Sequence, residues 1–231
     1  MALKDFLVSQ IASLKRDNKI LKKDYERVNF ELMQYQTRNR ELETQLEAIR
    51  EMVIRDALTG LASRVEILGQ IDHHFHLLER GEHHVVSGLL SNANEQHFSI
   101  MFLDLDDFKP INDQYGHEAG DTVLASFAQF LKQYFNRGSD IVARYAGDEF
   151  IILLSGVTPK EKADRIKQKF VSAMEGFEVS ITDNNGDEVL VPVRCSVGVA
   201  STSDGYKNSK ELKHAADQDM YIHKEAQKAA R

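Results

Sequence analysis

Every seventh residue near the start of the chain is apolar: Leu7, Leu14, Leu21, Val28, Tyr35, Leu42 and Ile49. A second stripe, Ile11, Asn18, Tyr25, Leu32, Asn39, Leu46 and Val53, fills the complementary position of the same heptad. Nothing in the first 55 residues interrupts the pattern, since all 13 Gly and all 3 Pro lie beyond them. A period of 3.5 held this long, with charged residues between the stripes, predicts a left-handed coiled coil. At 1.5 Å per residue such a stalk is about 70 Å long. Asn18 and Asn39 stand at core positions three heptads apart, where each is best satisfied by its twin in a parallel, in-register pair. The expectation is a parallel homodimeric stalk over 1–55 and a separate domain over 56–231. A solvated single helix and an antiparallel or higher-order coil are the alternatives.

The formal net charge of −7 and pI near 5.7 argue against a nucleic-acid polymer as partner, which calls for a basic surface. No run of about 18 uncharged apolar residues exists, so no membrane insertion is expected. The first residues, Met1-Ala2-Leu3-Lys4-Asp5, lack the apolar core of a secretion signal. The single cysteine, Cys195, cannot form an internal disulfide, which suits a reducing cytoplasm.

Gly60 breaks the stalk helix, and the rest reads as α+β. A helix is expected over 64–80, a buried strand over 98–105, and a helix from Asp121 to Phe135. Two strands follow, Ile141–Tyr145 and Phe150–Leu154, joined by a hairpin-length turn at 146–149. A helix is expected after Pro159. Strands at 177–183 and 189–200 flank the Asn185-Gly186 turn, and a last helix runs from about Lys210. Residues 81–97 read as a long surface loop.

Asp104, Asp106 and Asp107 crowd the end of the first buried strand, and Asp148-Glu149 sits at the hairpin turn. If these strands are neighbours, the two clusters meet at one end of a sheet. Gathered carboxylates repel unless a cation neutralises them, and hard oxygen ligands suit Mg²⁺ (or Mn²⁺) completed by substrate phosphates. A solvated acidic strand end is the alternative, and spacing alone does not separate the two. Lys109 has the chemistry to meet a phosphate. Asn112 and Asp121 carry the donor and acceptor pattern of a guanine reader, or else form an Asn turn and a helix N-cap. There is no Walker loop. The His73, His74, His76, His83 and His84 group lacks the remaining ligands of a zinc site and reads as solvated.

Five blocks in order carry a family resemblance. They are Arg55-Asp56-Ala57-Leu58-Thr59-Gly60-Leu61-Ala62-Ser63-Arg64, the run from Phe102 to Asp113, Gly116-His117-Glu118-Ala119-Gly120-Asp121, Arg144-Tyr145-Ala146-Gly147-Asp148-Glu149-Phe150, and Ala216 to Lys224. Together they resemble GGDEF domains, the diguanylate cyclases. The resemblance implies a palm-like βαββαβ nucleotide-cyclase core that joins two GTP into cyclic di-GMP. It also implies Asp104, the Leu105 carbonyl and Asp148 as Mg²⁺ ligands, with Glu149 completing the acidic set. Either Asp148 or Glu149 serves as base for the ribose 3′-hydroxyl. Asn112 and Asp121 then read guanine with His117 nearby, Gly147 lines the substrate, and Lys109, Lys224 and Lys228 meet the triphosphate. Lys228 stands where the family often has Arg, a loss of bidentate grip.

Each such domain holds one GTP, so two must face each other, and the stalk supplies that pairing as local concentration. Arg137 and Asp140 resemble the family's inhibitory product site, which implies feedback by cyclic di-GMP. Ala146 replaces the first signature glycine and is harmful if that position needs a positive φ or a close approach of phosphate. It is the one support for an alternative, a catalytically silent GTP or cyclic di-GMP sensor. The long helix with no attached sensor suggests an activator protein that binds the stalk.

Overall fold

The computed structural model describes residues 2–80, 97–156 and 160–229. The chain divides into two compact units, Met1–Glu51 and Met52–Arg231. The first consists of helix α1 (Ala2–Ile54), whose end enters the second unit. Its heptad side chains are open to solvent in the single chain, with Leu21 68% and Leu32 52% exposed. The pairs Asp24–Arg27, Arg38–Glu41 and Glu47–Arg50 lie one turn apart along it. Exposed pairs of this kind add only a few tenths of a kcal/mol each. An apolar stripe of this length is a surface that calls for a partner. Among the described residues, no helix is long and apolar enough to cross a membrane.

The second unit is a four-stranded antiparallel sheet in the order β2-β3-β1-β6. Its chain order is α2 (Arg64–Arg80), β1 (Ser99–Asp106), α3 (Phe108–Tyr115), α4 (His117–Tyr134), β2 (Asp140–Ala146), β3 (Glu149–Leu154), α5 (Lys160–Met174), β4 (Glu178–Thr182), β5 (Glu188–Pro192), β6 (Arg194–Ser201) and α6 (Ser209–Ala229). The βαββαβ core is therefore present, with the β4–β5 hairpin inserted before its last strand. Alternation along β1 explains the layers. Met101, Leu103 and Leu105 pack with Val123, Phe127 and Leu131 of α4 on one face. Ile100 and Phe102 pack with Ile67 and Ile71 of α2 and Leu212 of α6 on the other. At Gly198 an added Cβ would lie 2.0 Å from the Ala216 carbonyl and 2.2 Å from the Met220 nitrogen. Glycine is what lets α6 rest directly on the β6 backbone.

Three sequence expectations change. The apolar run read as one strand over 189–200 is two, β5 and β6, parted at Val193. The β5 segment pairs with β4, whereas β6 pairs with β1, and Val193 N–H turns aside to the Phe177 carbonyl at 3.0 Å. The helix expected from Asp121 begins at His117, so Asp121 lies inside α4 and is not its N-cap. A short helix, α3, precedes it, with Pro110 tolerated in its first turn. The loop expected at 81–97 and the helix start at Pro159 lie outside the described residues, apart from His97.

Candidate active site

Antiparallel pairing sets Asp104 of β1 directly opposite Glu149 of β3. The Leu105 N–H donates to the Asp148 carbonyl at 3.2 Å, which draws the signature turn onto the end of β1. Asp104, Asp148 and Glu149 are thus gathered at one end of the sheet, as the spacing suggested for neighbouring strands. Burial raises the pKa of Asp148, and the Asp104 charge adds to this against the opposing pull of Lys224 and Arg144. Burial also raises Glu149, reinforced by Asp104, Asp148 and Asp217 and opposed by Arg64. These are carboxylates held close enough to resist ionising together.

One cation already answers them: Lys224 Nζ on α6 donates to Asp104 Oδ1. Burial works to lower the Lys224 pKa, but the hydrogen bond and charge of Asp104, with Asp106 and Asp148 behind, hold it above its ordinary value. Ser196 Oγ donates to Asp106 Oδ1 at 2.7 Å, so Asp106 is engaged across the sheet beside the cluster. Among the described residues no group of three or more His, Cys, Asp and Glu side chains is arranged to hold a metal ion. A Mg²⁺ site needs only one or two carboxylates and completes its shell with water and substrate oxygens. The donor set is all oxygen, and a lysine ammonium stands against Asp104 as a counter-charge, so the residues fit a divalent cation.

The turn before α3 carries Asp107 at φ 58, the one non-glycine residue with positive φ among those described. Backbone strain of this kind persists where the surroundings over-determine it, often beside a site. Asn112 on α3 nests against Gly120 of α4: a Cβ at 120 would meet Asn112 Oδ1 at 1.9 Å. The half-buried Asn112 amide is thereby held one residue from the exposed Asp121. Asn184 Nδ2, at the tip of the β4–β5 hairpin, donates to the Gln114 carbonyl at 3.2 Å and braces the α3–α4 turn. Lys109 and His117 are exposed on the same pair of helices. Lys228 is not brought into the carboxylate cluster, because it is exposed and donates to Glu225 Oε1 at 2.9 Å.

Ala146 ends β2 just past a shift of register between Arg144 and Ala146, with an exposed methyl group and no positive φ, while Gly147 takes the positive φ of 51. The positive φ of the turn therefore falls on its neighbour, and it is the close approach of phosphate that a methyl group at 146 bears on.

Sequence reasoning missed the support of the signature turn. Arg144 Nε donates to the Gly147 carbonyl at 2.9 Å, and its Nη1 meets Asp56 Oδ1 at 3.3 Å. Asp56 also accepts from Thr59 N–H and Thr59 Oγ1 at 2.9 and 2.7 Å. Arg64 stacks 4.5 Å over the Tyr145 ring, whose hydroxyl accepts from Lys213 Nζ at 2.9 Å. An Arg or Asp flanking an acidic motif gives no periodic signal, so these links emerge only when the chain is folded. His74, read as solvated, is half-buried, with Nδ1 2.8 Å from the Gln70 carbonyl and Nε2 3.1 Å from Ser155 Oγ. His83 and His84 lie outside the described residues.

Arg137 and Asp140 form a turn in which the Asp140 N–H donates to the Arg137 carbonyl at 3.0 Å. Asp140 lines a cavity of about 330 Å³ with Arg55, Leu61, Lys132 and Phe135. Burial raises its pKa against the pull of Arg137.

The family model described as "Diguanylate cyclase, GGDEF domain" matches residues 53–230. Diguanylate cyclase TpbB of Pseudomonas aeruginosa is 30% identical over 213 residues, covering 91% of this chain and 43% of that protein. A structure of TpbB comprising only its GGDEF domain aligns with a TM-score of 0.60 and 30% identity, over 74% of this chain and 89% of that one. The coiled coil and GGDEF domain of DgcB from Caulobacter crescentus align with a TM-score of 0.71 at 21% identity, over 86% and 95% of the two chains, a likeness of fold. The chain spans less than half the length of the curated relatives it matches.

Proposed function

The chain belongs to the GGDEF-domain family of diguanylate cyclases, and from that premise we propose that it condenses two GTP into cyclic di-GMP and two pyrophosphates. The reading takes 1–55 as the stalk and 56–231 as the catalytic domain. The observation that carries it is the register pairing of Asp104 with Glu149 beside Asp148, a carboxylate cluster in need of a cation. Asp104, the Leu105 carbonyl, Asp148 and Glu149 would hold Mg²⁺ (or Mn²⁺), which when bound lowers the charge on the triphosphate and steadies the attacking oxygen. Lys224 then leaves Asp104 for the triphosphate, and Lys109 meets it from α3. Asn112 and Asp121 read the guanine edge, with His117 beside them and Gly147 lining the substrate. Asp148 or Glu149 takes the proton of the 3′-hydroxyl as its oxygen attacks the α-phosphorus of the facing GTP.

One domain holds one GTP, so each supplies half of the ring closure, and a parallel coiled coil through the exposed α1 stripe pairs two copies. Cyclic di-GMP acts back at Arg137 and Asp140, and the half-buried Asp140 in its cavity supports that reading. A separate activator protein on the stalk sets the pairing, and GTP supply suits a cytoplasmic enzyme. No observation favours the silent-sensor alternative, and Ala146, its one support, has no positive φ. The test is GTP turnover with Mg²⁺ on nucleotide-stripped protein, with products separated by chromatography. A cyclic di-GMP peak that is absent from Asp104→Ala is expected. Bound GTP with no product in the wild-type dimer would overturn the proposal.

A further inference from the structure

Strand β6 is an edge of the sheet, and its outward backbone groups are met by side chains of α6 rather than by another strand. Asp219 Oδ2 accepts from Val199 N–H at 2.8 Å. One helical turn on, His223 Nδ1 accepts from Val197 N–H at 3.1 Å. A further turn on, Gln227 Nε2 donates to the Cys195 carbonyl at 3.2 Å and approaches His223 Nδ1 at 3.1 Å. The Val197 N–H donates to Nδ1, so His223 is the neutral ring with its proton on Nε2. Burial depresses its pKa in agreement, aided by the Lys167 charge and opposed by Asp106 and Asp219.

The spacing of the rungs is commensurate. Four helical residues rise about 6 Å. Two strand residues span about 6.6 Å. The helix therefore steps 219, 223, 227 as the antiparallel strand steps 199, 197, 195. Gly198 sits between the first two rungs, where the helix backbone rests on the strand. Lys167 Nζ of α5 adds a 2.8 Å bond to Asp219 Oδ2.

This ladder fixes more than an edge. Ser196, between the second and third rungs, is the cross-strand partner of Asp104. Lys224, the residue after His223, is the one that reaches Asp104. The helix is thus registered to β6, and β6 to β1, at the level of the carboxylate cluster. We propose that His223 is a positioning residue, which with Asp219 and Gln227 holds α6 in the register that delivers Lys224 to the triphosphate. The inference rests on the reading of Lys224 as a triphosphate contact.

Calorimetric titration of the full chain with 3′-deoxy-GTP and Mg²⁺ tests it, because that nucleotide lacks the attacking hydroxyl and is not consumed. His223→Leu keeps the volume and removes the acceptor; it is expected to weaken binding about tenfold, the size of a lost charge-assisted contact. His223→Asn, whose Oδ1 can stand near the place of Nδ1, is expected to restore affinity to within about twofold. In a Lys224→Ala background, His223→Leu should add no further loss. Equal losses in both backgrounds, or no rescue by Asn, would overturn the positioning role while leaving the Lys224 contact intact. Unchanged affinity in Lys224→Ala alone would instead overturn the contact and the inference together. If Leu at 223 prevents folding, Gln227→Met at the half-exposed third rung carries the same comparison.

Discussion

At the scale of single residues, Gly120 shows how a missing atom makes a site. The Asn112 amide lies where a side chain at 120 would begin, with its Oδ1 1.9 Å from that point. No rotation of a methyl group relieves such an overlap, so Gly120→Ala must push Asn112 off its perch. Loss of a guanine contact that leaves polar groups unpaired costs about 1–3 kcal/mol. The expected result is a KM for GTP raised by about tenfold or more with kcat less affected, read from initial rates. An unchanged KM would mean that Asn112 does not read the base. The sequence made Asn112 and Asp121 visible as candidates, but the role of Gly120 was silent, because a glycine inside a helix carries no sign of what it makes room for. Lys228 was visible in the sequence in the same way. Without a nucleotide its long, exposed side chain pairs with Glu225 on its own helix, and its contact with the triphosphate stays a proposal.

At the scale of elements, the segment from α1 into the domain is clamped onto the signature hairpin. Ala62 N–H donates to the Val142 carbonyl at 3.1 Å, and Arg144 N–H to the Ala62 carbonyl at 3.0 Å, so the segment adds a short parallel bridge beside β2. The Asp56–Arg144 pair closes the clamp. Burial acts to raise the Asp56 pKa, but the Thr59 hydrogen bonds and Arg144 outweigh it and hold the carboxyl below its usual value. A carboxylate depressed in the folded state adds stability above its unfolded pKa of about 4, and that stability is lost as pH falls through the lower folded value. Asp56→Asn should therefore melt below wild type at pH 7, with the gap closing as the pH is lowered past about 4. A gap that stays constant from pH 7 to pH 3 would show that the charge of Asp56 contributes nothing. Element existence was legible where periodicity was strong, as in α1, α2, β1 and the β2–β3 hairpin. The break at Val193 was not, because β5 and β6 are both apolar strands and only their different partners part them. Helix α3 was hidden by Pro110, which in a first turn ends nothing.

At the scale of the whole molecule, the chain carries an exposed heptad stripe and a domain whose carboxylate cluster, in the proposed function, serves one nucleotide. Each is incomplete alone. A helix that leaves Leu21 and Tyr25 about two-thirds bare needs a partner, with Leu21 at 68% and Tyr25 at 69% exposed. A cyclic dinucleotide has two equivalent phosphodiesters, so its synthesis needs two phosphoryl transfers, one from each of two facing sites. In the proposed dimer, coupling the domains through the stalk would raise their mutual concentration without any new contact between them. The most direct measurement is product formation from wild-type and Asp104→Ala chains co-expressed in graded ratios. A mixed dimer would complete one transfer and stop at the linear dinucleotide. The account predicts that cyclic di-GMP output falls as the square of the wild-type fraction, with linear product appearing as it falls. Output in simple proportion to the wild-type fraction, with no linear product, would mean that each chain closes the ring alone.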